Sequence, residues 1–105
     1  MEKTVIHYDT RHLLAQYKKI RNHSEFICSP LETEDYVVQP IADVSPPKWH
    51  LGHTTWFFET FILNPHFSGY KEFNEQYNFV FNSYYETVGA RVLRTDRGNL
   101  SRPSV

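Results

Sequence analysis

A chain of 105 residues with 40% hydrophobic and 16% aromatic side chains is long enough for one modest core and too apolar for a disordered tail. Its formal charge of −1 gives no general attraction for nucleic acid or an anionic membrane, and its one cysteine, Cys28, excludes an internal disulfide and fits a reducing cytoplasm. No apolar run approaches the roughly 20 residues a membrane helix needs, and Met1 to His7 lacks the apolar stretch of a signal peptide.

The spacing predicts a first helix from Thr10 to Phe26, capped by Asp9, with Leu13, Tyr17, Ile20 and Ile27 on one apolar face. Cys28 follows that face and has no basic neighbour to make it a nucleophile, so it reads as a small buried hydrophobe. Ser29-Pro30 ends the helix, and residues 29–44 read as an irregular connection with one turn at Thr33-Glu34-Asp35. Loops of that length are usually held down, so Tyr36, Val37 and Val38 are expected to tuck against the helices.

The second helix is predicted from Pro46 to Leu63. Ser45 would cap it, two prolines would occupy a first turn whose N–H groups have no intrahelical partner, and Asn64-Pro65 would stop it. At 3.6 residues per turn, Trp49, His53, Trp56, Thr60 and Leu63 share a stripe, and His50, Phe57 and Phe61 lie on the next. Only Lys48, Gly52, Thr55 and Glu59 form a polar strip, so this helix reads as buried among other helices. An imidazole in such surroundings needs a metal ion, a carboxylate or a backbone carbonyl as partner.

A third helix is expected from Phe73 to Val88, with Phe73, Tyr77, Val80, Phe81, Tyr84 and Val88 facing the core and Gly89 ending it. Residues 90–105 read as an extended, irregular tail. It holds Arg91, Arg94, Arg97 and Arg102 against the single acid Asp96, and guanidinium forks suit a carboxylate or phosphate, although a solvated basic tail is the commoner use of such a run. The fold class is therefore all-α, about three helices of an incomplete up-down bundle with a long loop after the first.

Two histidines three apart on a helix can approach one metal, but an open mononuclear site needs three protein ligands. His7, His12, His23 and His66 fall near helix ends or on polar faces and read as surface residues. No phosphate loop, nucleophile elbow, Cys-x-x-Cys or His-Glu-x-x-His pattern is present.

Within Pro30 to Phe61, the segment SPPKWHLGHTTWFFETF resembles the N-terminal DinB-like helical domain of ergothioneine-type sulfoxide synthases, and FNSYYETVGARVLRTDRGNLSRPSV resembles that domain's next stretch. The resemblance implies that residues 1–105 are the N-terminal part of such a domain in an iron(II)- and O₂-dependent enzyme. That enzyme joins a thiol, γ-glutamylcysteine or cysteine, to C2 of trimethylhistidine and oxidises the sulfur to a sulfoxide. It implies His53 as one of three histidine ligands, the other two lying in a His-x-x-x-His on a later helix, and His50 as a packing residue beside the ligand. It further implies Arg94 and Arg97 as binders of substrate carboxylates, with Tyr84 and Tyr85 either lining the pocket or packing in the core. That later helix and the family's C-terminal formylglycine-generating-enzyme-like domain have no counterpart in the 105 residues. One imidazole cannot hold Fe(II) against water, so the chain alone is expected to be inactive. Two other readings stand beside this one: a DinB-like metal-dependent thiol transferase, and a non-enzymatic helical module that pairs with a copy of itself through uncovered apolar faces.

Overall fold

The computed structural model describes residues 9–83 and 90–105, and among them the only regular elements are helical. The chain divides into two compact units, Met1–Pro30 and Leu31–Val105. The length predicts one domain; among the described residues, the buried cluster of large side chains lies in the second unit.

The first unit is the helix α1, Thr10–Cys28. Asp9 caps it as predicted: its backbone is extended and its carboxylate accepts the N–H of Arg11 at 2.9 Å. The helix runs two residues beyond the predicted end, and Ser29 closes it by donating its N–H and its hydroxyl to the carbonyl of Phe26. The expected apolar face is present but uncovered, since Leu13, Tyr17, Ile20 and Ile27 are all exposed and Cys28 is the buried position. A helical stripe of this kind is buried only where another element packs on it, which the spacing of apolar residues cannot supply by itself. Replacing Asp9 with alanine is expected to cost the helix about 1 kcal/mol and fray its first turn, read as lost ellipticity at 222 nm on heating.

The second unit opens with a 3₁₀ turn, Thr33–Val37, in which the Asp35 carboxylate accepts the N–H of Glu32 at 2.9 Å. Tyr36 and Val37 are half-buried as expected, whereas Val38 remains exposed. Next comes α2, Pro47–Phe58, continued by a π-helical turn, Glu59–Leu63, and a final helical turn α3, Asn64–His66.

Two expectations fail along this path. Pro46, not Ser45, occupies the cap position, and the Ser45 hydroxyl is taken by a residue 52 positions away, accepting from Arg97 Nη1 at 2.8 Å. Asn64-Pro65 does not stop the helix either. The Asn64 N–H reaches back five residues to the carbonyl of Glu59, so the ladder has already widened, and Pro65 falls near the start of α3, where a missing N–H costs little. The chain turns away after Phe67, through Gly69 at φ 82°, a conformation open to glycine without a Cβ penalty.

Among the described residues of the predicted third helix, only Tyr77–Phe81 is helical, as α4. Phe73, expected at its buried start, is 76% exposed in a loop whose backbone N–H is claimed by the Glu59 carboxylate at 3.2 Å. A side chain from another element has overridden the local apolar period. Tyr77, Val80 and Phe81 do face the core, while Tyr84 and Val88, like Tyr85, Gly89 and His7, lie outside the described residues. The tail is not wholly irregular, since Arg94–Asn99 forms a 3₁₀ helix. Gln39 clamps it: its amide donates to the carbonyl of Arg94 at 2.6 Å and accepts the N–H of Gly98 at 2.6 Å.

Trp49, Trp56 and Phe81 form the buried core, with Phe57, Phe61, Tyr77, Val80 and Leu100 packed on it. Trp56 ties its indole N–H to Asn78 Oδ1 at 2.6 Å. Two residues of the predicted polar strip are buried instead. Lys48 lays its stem in the protein and donates Nζ to the carbonyl of Leu100 at 2.7 Å; burial, then the nearby Arg102 charge, pulls its pKa down. Glu59 accepts from the Tyr70 hydroxyl at 2.5 Å, a bond that is the main reason the Tyr70 pKa is raised.

Candidate metal-ligand site

His53 lies one turn after Trp49 and three residues before Trp56 on α2, so helical geometry alone puts the three rings in one column. The imidazole stacks on Trp49 with centroids 4.5 Å apart and planes 10° from parallel, and on Trp56 at 5.5 Å and 29°. Its Nδ1 lies 2.6 Å from the carbonyl oxygen of Phe81. That carbonyl is available because α4 ends there: Asn82 turns to extended backbone, and the last carbonyls of a helix have no partner within it. A carbonyl can only accept, so Nδ1 carries the proton. In the neutral ring Nε2 then keeps its lone pair, and no described residue occupies it.

Burial lowers the His53 pKa, the hydrogen bond to Phe81 partly opposes this, and the charge of Arg97 adds to the lowering. His50 stays exposed at its surface, its ring edge-on to Trp49 at 5.5 Å. Partial desolvation, then His53 and Arg97, lower its pKa as well. Both imidazoles are held neutral at pH 7. Because the folded state binds protons less readily than the unfolded chain, stability should fall as pH drops below about 6.5 and level off once it passes the lowered folded-state values. Urea midpoints of the second unit at about pH 5 and pH 7.5 check this, the lower pH giving the lower midpoint, and His53→Gln should flatten part of the difference.

The two arginines part company. Arg97 is 4% exposed, with its guanidinium carbon 3.6 Å from the Trp49 ring centroid, Nη1 donating to Ser45 and Nη2 to Ser83 at 3.5 Å. Arg94 is half-buried and is fixed through its backbone by Gln39. Of the remaining histidines, His12, His23 and His66 are exposed, in line with their reading as surface residues.

An iron site of three protein ligands fits these residues only in part. His53 Nε2 is the unprotonated nitrogen of a ring whose other nitrogen is held by a backbone carbonyl, the arrangement metal-ligating histidines favour. Among the described residues, no group of three His, Cys, Asp or Glu side chains stands ready around an ion. The described residues therefore offer one ligand position.

Gln39, Lys48 and Glu59 shape this region, yet spacing leaves Gln39 unmarked and places Lys48 and Glu59 only on a polar strip. Their partners lie 11 to 59 residues away, so no local signal marks them. No protein-family model matches the sequence, and no curated protein is significantly similar to it.

Proposed function

We propose that this chain supplies the first ligand of a non-haem iron(II) centre in a sulfoxide synthase of DinB-like architecture. The observation that supports it best is the His53 tautomer: Nδ1–H engaged by Phe81, Nε2 left open between two indoles. The sequence SPPKWHLGHTTWFFETF supports it independently, through its resemblance to that family. The remaining two ligands would come from polypeptide outside these 105 residues.

The reaction joins a thiol, γ-glutamylcysteine or cysteine, to C2 of trimethylhistidine. The S–H and C2–H bonds break, a C–S bond and an S=O bond form, and O₂ leaves its second oxygen as water. Iron would supply the activation of O₂. The chain's own part is to hold His53 neutral and oriented and to wall the site with Trp49 and Trp56. Arg94 and Arg97 are the pair that the family resemblance assigns to substrate carboxylates, by bidentate contact. A cytoplasmic setting fits a thiol substrate.

The test is oxygen consumption by the intact protein that carries this sequence, loaded with Fe(II). Uptake that requires both trimethylhistidine and the thiol, with a sulfoxide product by mass spectrometry, is expected. A metal-dependent thiol transferase, which needs an electrophilic acceptor to receive the thiolate, would instead show no oxygen uptake and no product from trimethylhistidine.

A non-enzymatic, self-pairing module is the second reading, favoured by the exposed row Leu13, Tyr17, Ile20 and Ile27 on α1. Light scattering separates it, since a monomer at high concentration counts against pairing.

A further inference from the structure

Trp49 and Trp56 flank the same imidazole, yet they are fixed by different means. Trp56 is anchored by its own N–H, which reaches Asn78. The Trp49 indole N–H is buried and meets no acceptor among the described residues, so no hydrogen bond from them sets that ring's plane. What touches its faces is a guanidinium at 3.6 Å and an imidazole at 4.5 Å.

We propose that Arg97 is a positioning residue for His53: its guanidinium, pinned between the hydroxyls of Ser45 and Ser83, backs the Trp49 indole and so fixes the plane on which the imidazole stacks. Three features carry this. The guanidinium is buried, which suits a packing role. Its two hydroxyl anchors come from different parts of the chain, just before α2 and just after α4, so its plane is defined at two ends. A planar guanidinium stacks on an indole face over a broad area, which a lysine ammonium cannot match.

The chain of contacts then runs from Arg97 to Trp49 to His53 and ends at the carbonyl of Phe81. Rotation of the Trp49 plane would tilt the imidazole and lengthen the Nδ1–H bond that selects its tautomer. This inference concerns the histidine's orientation and stands whether or not the sulfoxide synthase reading does. It also differs from what the family resemblance implies for Arg97, which is contact with a substrate carboxylate.

Long-range ¹H–¹⁵N correlation of the histidine rings in the full chain, at neutral pH and without metal, tests it. Wild-type protein should show His53 as a single Nδ1–H tautomer with nuclear Overhauser contacts to Trp49. Arg97→Lys and Arg97→Gln should both lose those contacts and shift His53 to a tautomer mixture while keeping the wild-type far-ultraviolet dichroism; Arg94→Gln should change neither. Ser45→Ala, which removes one anchor and leaves the guanidinium, should weaken the same cross-peaks and serves if the Arg97 variants do not fold. An unaltered His53 tautomer and unaltered Trp49 contacts in a folded Arg97→Gln protein, or in Ser45→Ala where that protein fails to fold, would overturn the proposal.

Discussion

Replacing Trp56 with alanine is expected to leave the second unit largely unfolded, at a cost of about 3–5 kcal/mol. The side chain is 1% exposed, and its loss empties the centre of the cluster formed with Trp49 and Phe81. It also takes away the edge contact with Phe61 at 5.8 Å, one stacking face of His53, and the donor that satisfies Asn78. Small domains hold about 5–15 kcal/mol in total, and a unit of this size belongs near the bottom of that range. Near-ultraviolet dichroism and urea unfolding measure the loss. Trp56→Phe separates the terms: it refills most of the volume and removes only the N–H bond, so about 1–2 kcal/mol is expected. A Trp56→Ala protein with the wild-type urea midpoint would show that the core does not rest on this residue.

Gly52→Ala is the second large effect, and its sign runs against helix propensity. In an exposed helix interior alanine gains about 1 kcal/mol over glycine. Here the added Cβ would overlap Phe81 Cε1 and Cζ and sit 2.6 Å from Cδ1 of the same ring. Phe81 is 1% exposed, so its ring has no open space to retreat into. Overpacking of this kind costs about 1–3 kcal/mol or more, which outweighs the propensity gain. The damage extends to the site, because the Phe81 carbonyl holds His53 Nδ1. A lowered melting temperature and a mixed His53 tautomer are expected together, and a Gly52→Ala protein melting at or above wild type would contradict the packing.

What was legible in the sequence was mostly local. Asp9 caps α1 through a bond to a residue two positions on, and the Trp49–His53–Trp56 column follows from helical spacing, so both could be read from neighbours alone. The partner of His53 could not. Phe81 is 28 residues distant, and its carbonyl is exposed only because α4 stops four residues after it begins, whereas the apolar period had predicted a helix running on to Val88. Ser45 shows the same limit. Its sequence context is that of a helix cap, but the hydroxyl goes to Arg97, and a long-range charged donor outcompetes a first-turn N–H. Lys48 and Glu59 look solvated on a helical wheel and are buried, because each finds a partner in a loop that no periodicity describes. Arg97 belongs with them: in sequence one of four arginines in a basic tail, in the fold a buried side chain against Trp49.

His53 is where the local and the long-range features meet. Burial keeps the ring neutral, the Phe81 carbonyl fixes which nitrogen bears the proton, and the two indoles set its plane. Together these leave Nε2 as the unprotonated ring nitrogen, the atom that the proposed iron centre would use. The most direct measurement is therefore the iron content of the intact protein that carries this sequence, reconstituted with Fe(II) and compared with its His53→Ala variant. Loss of bound iron in a variant that keeps the wild-type dichroism is the predicted result, and iron retained at the wild-type level would contradict the assignment.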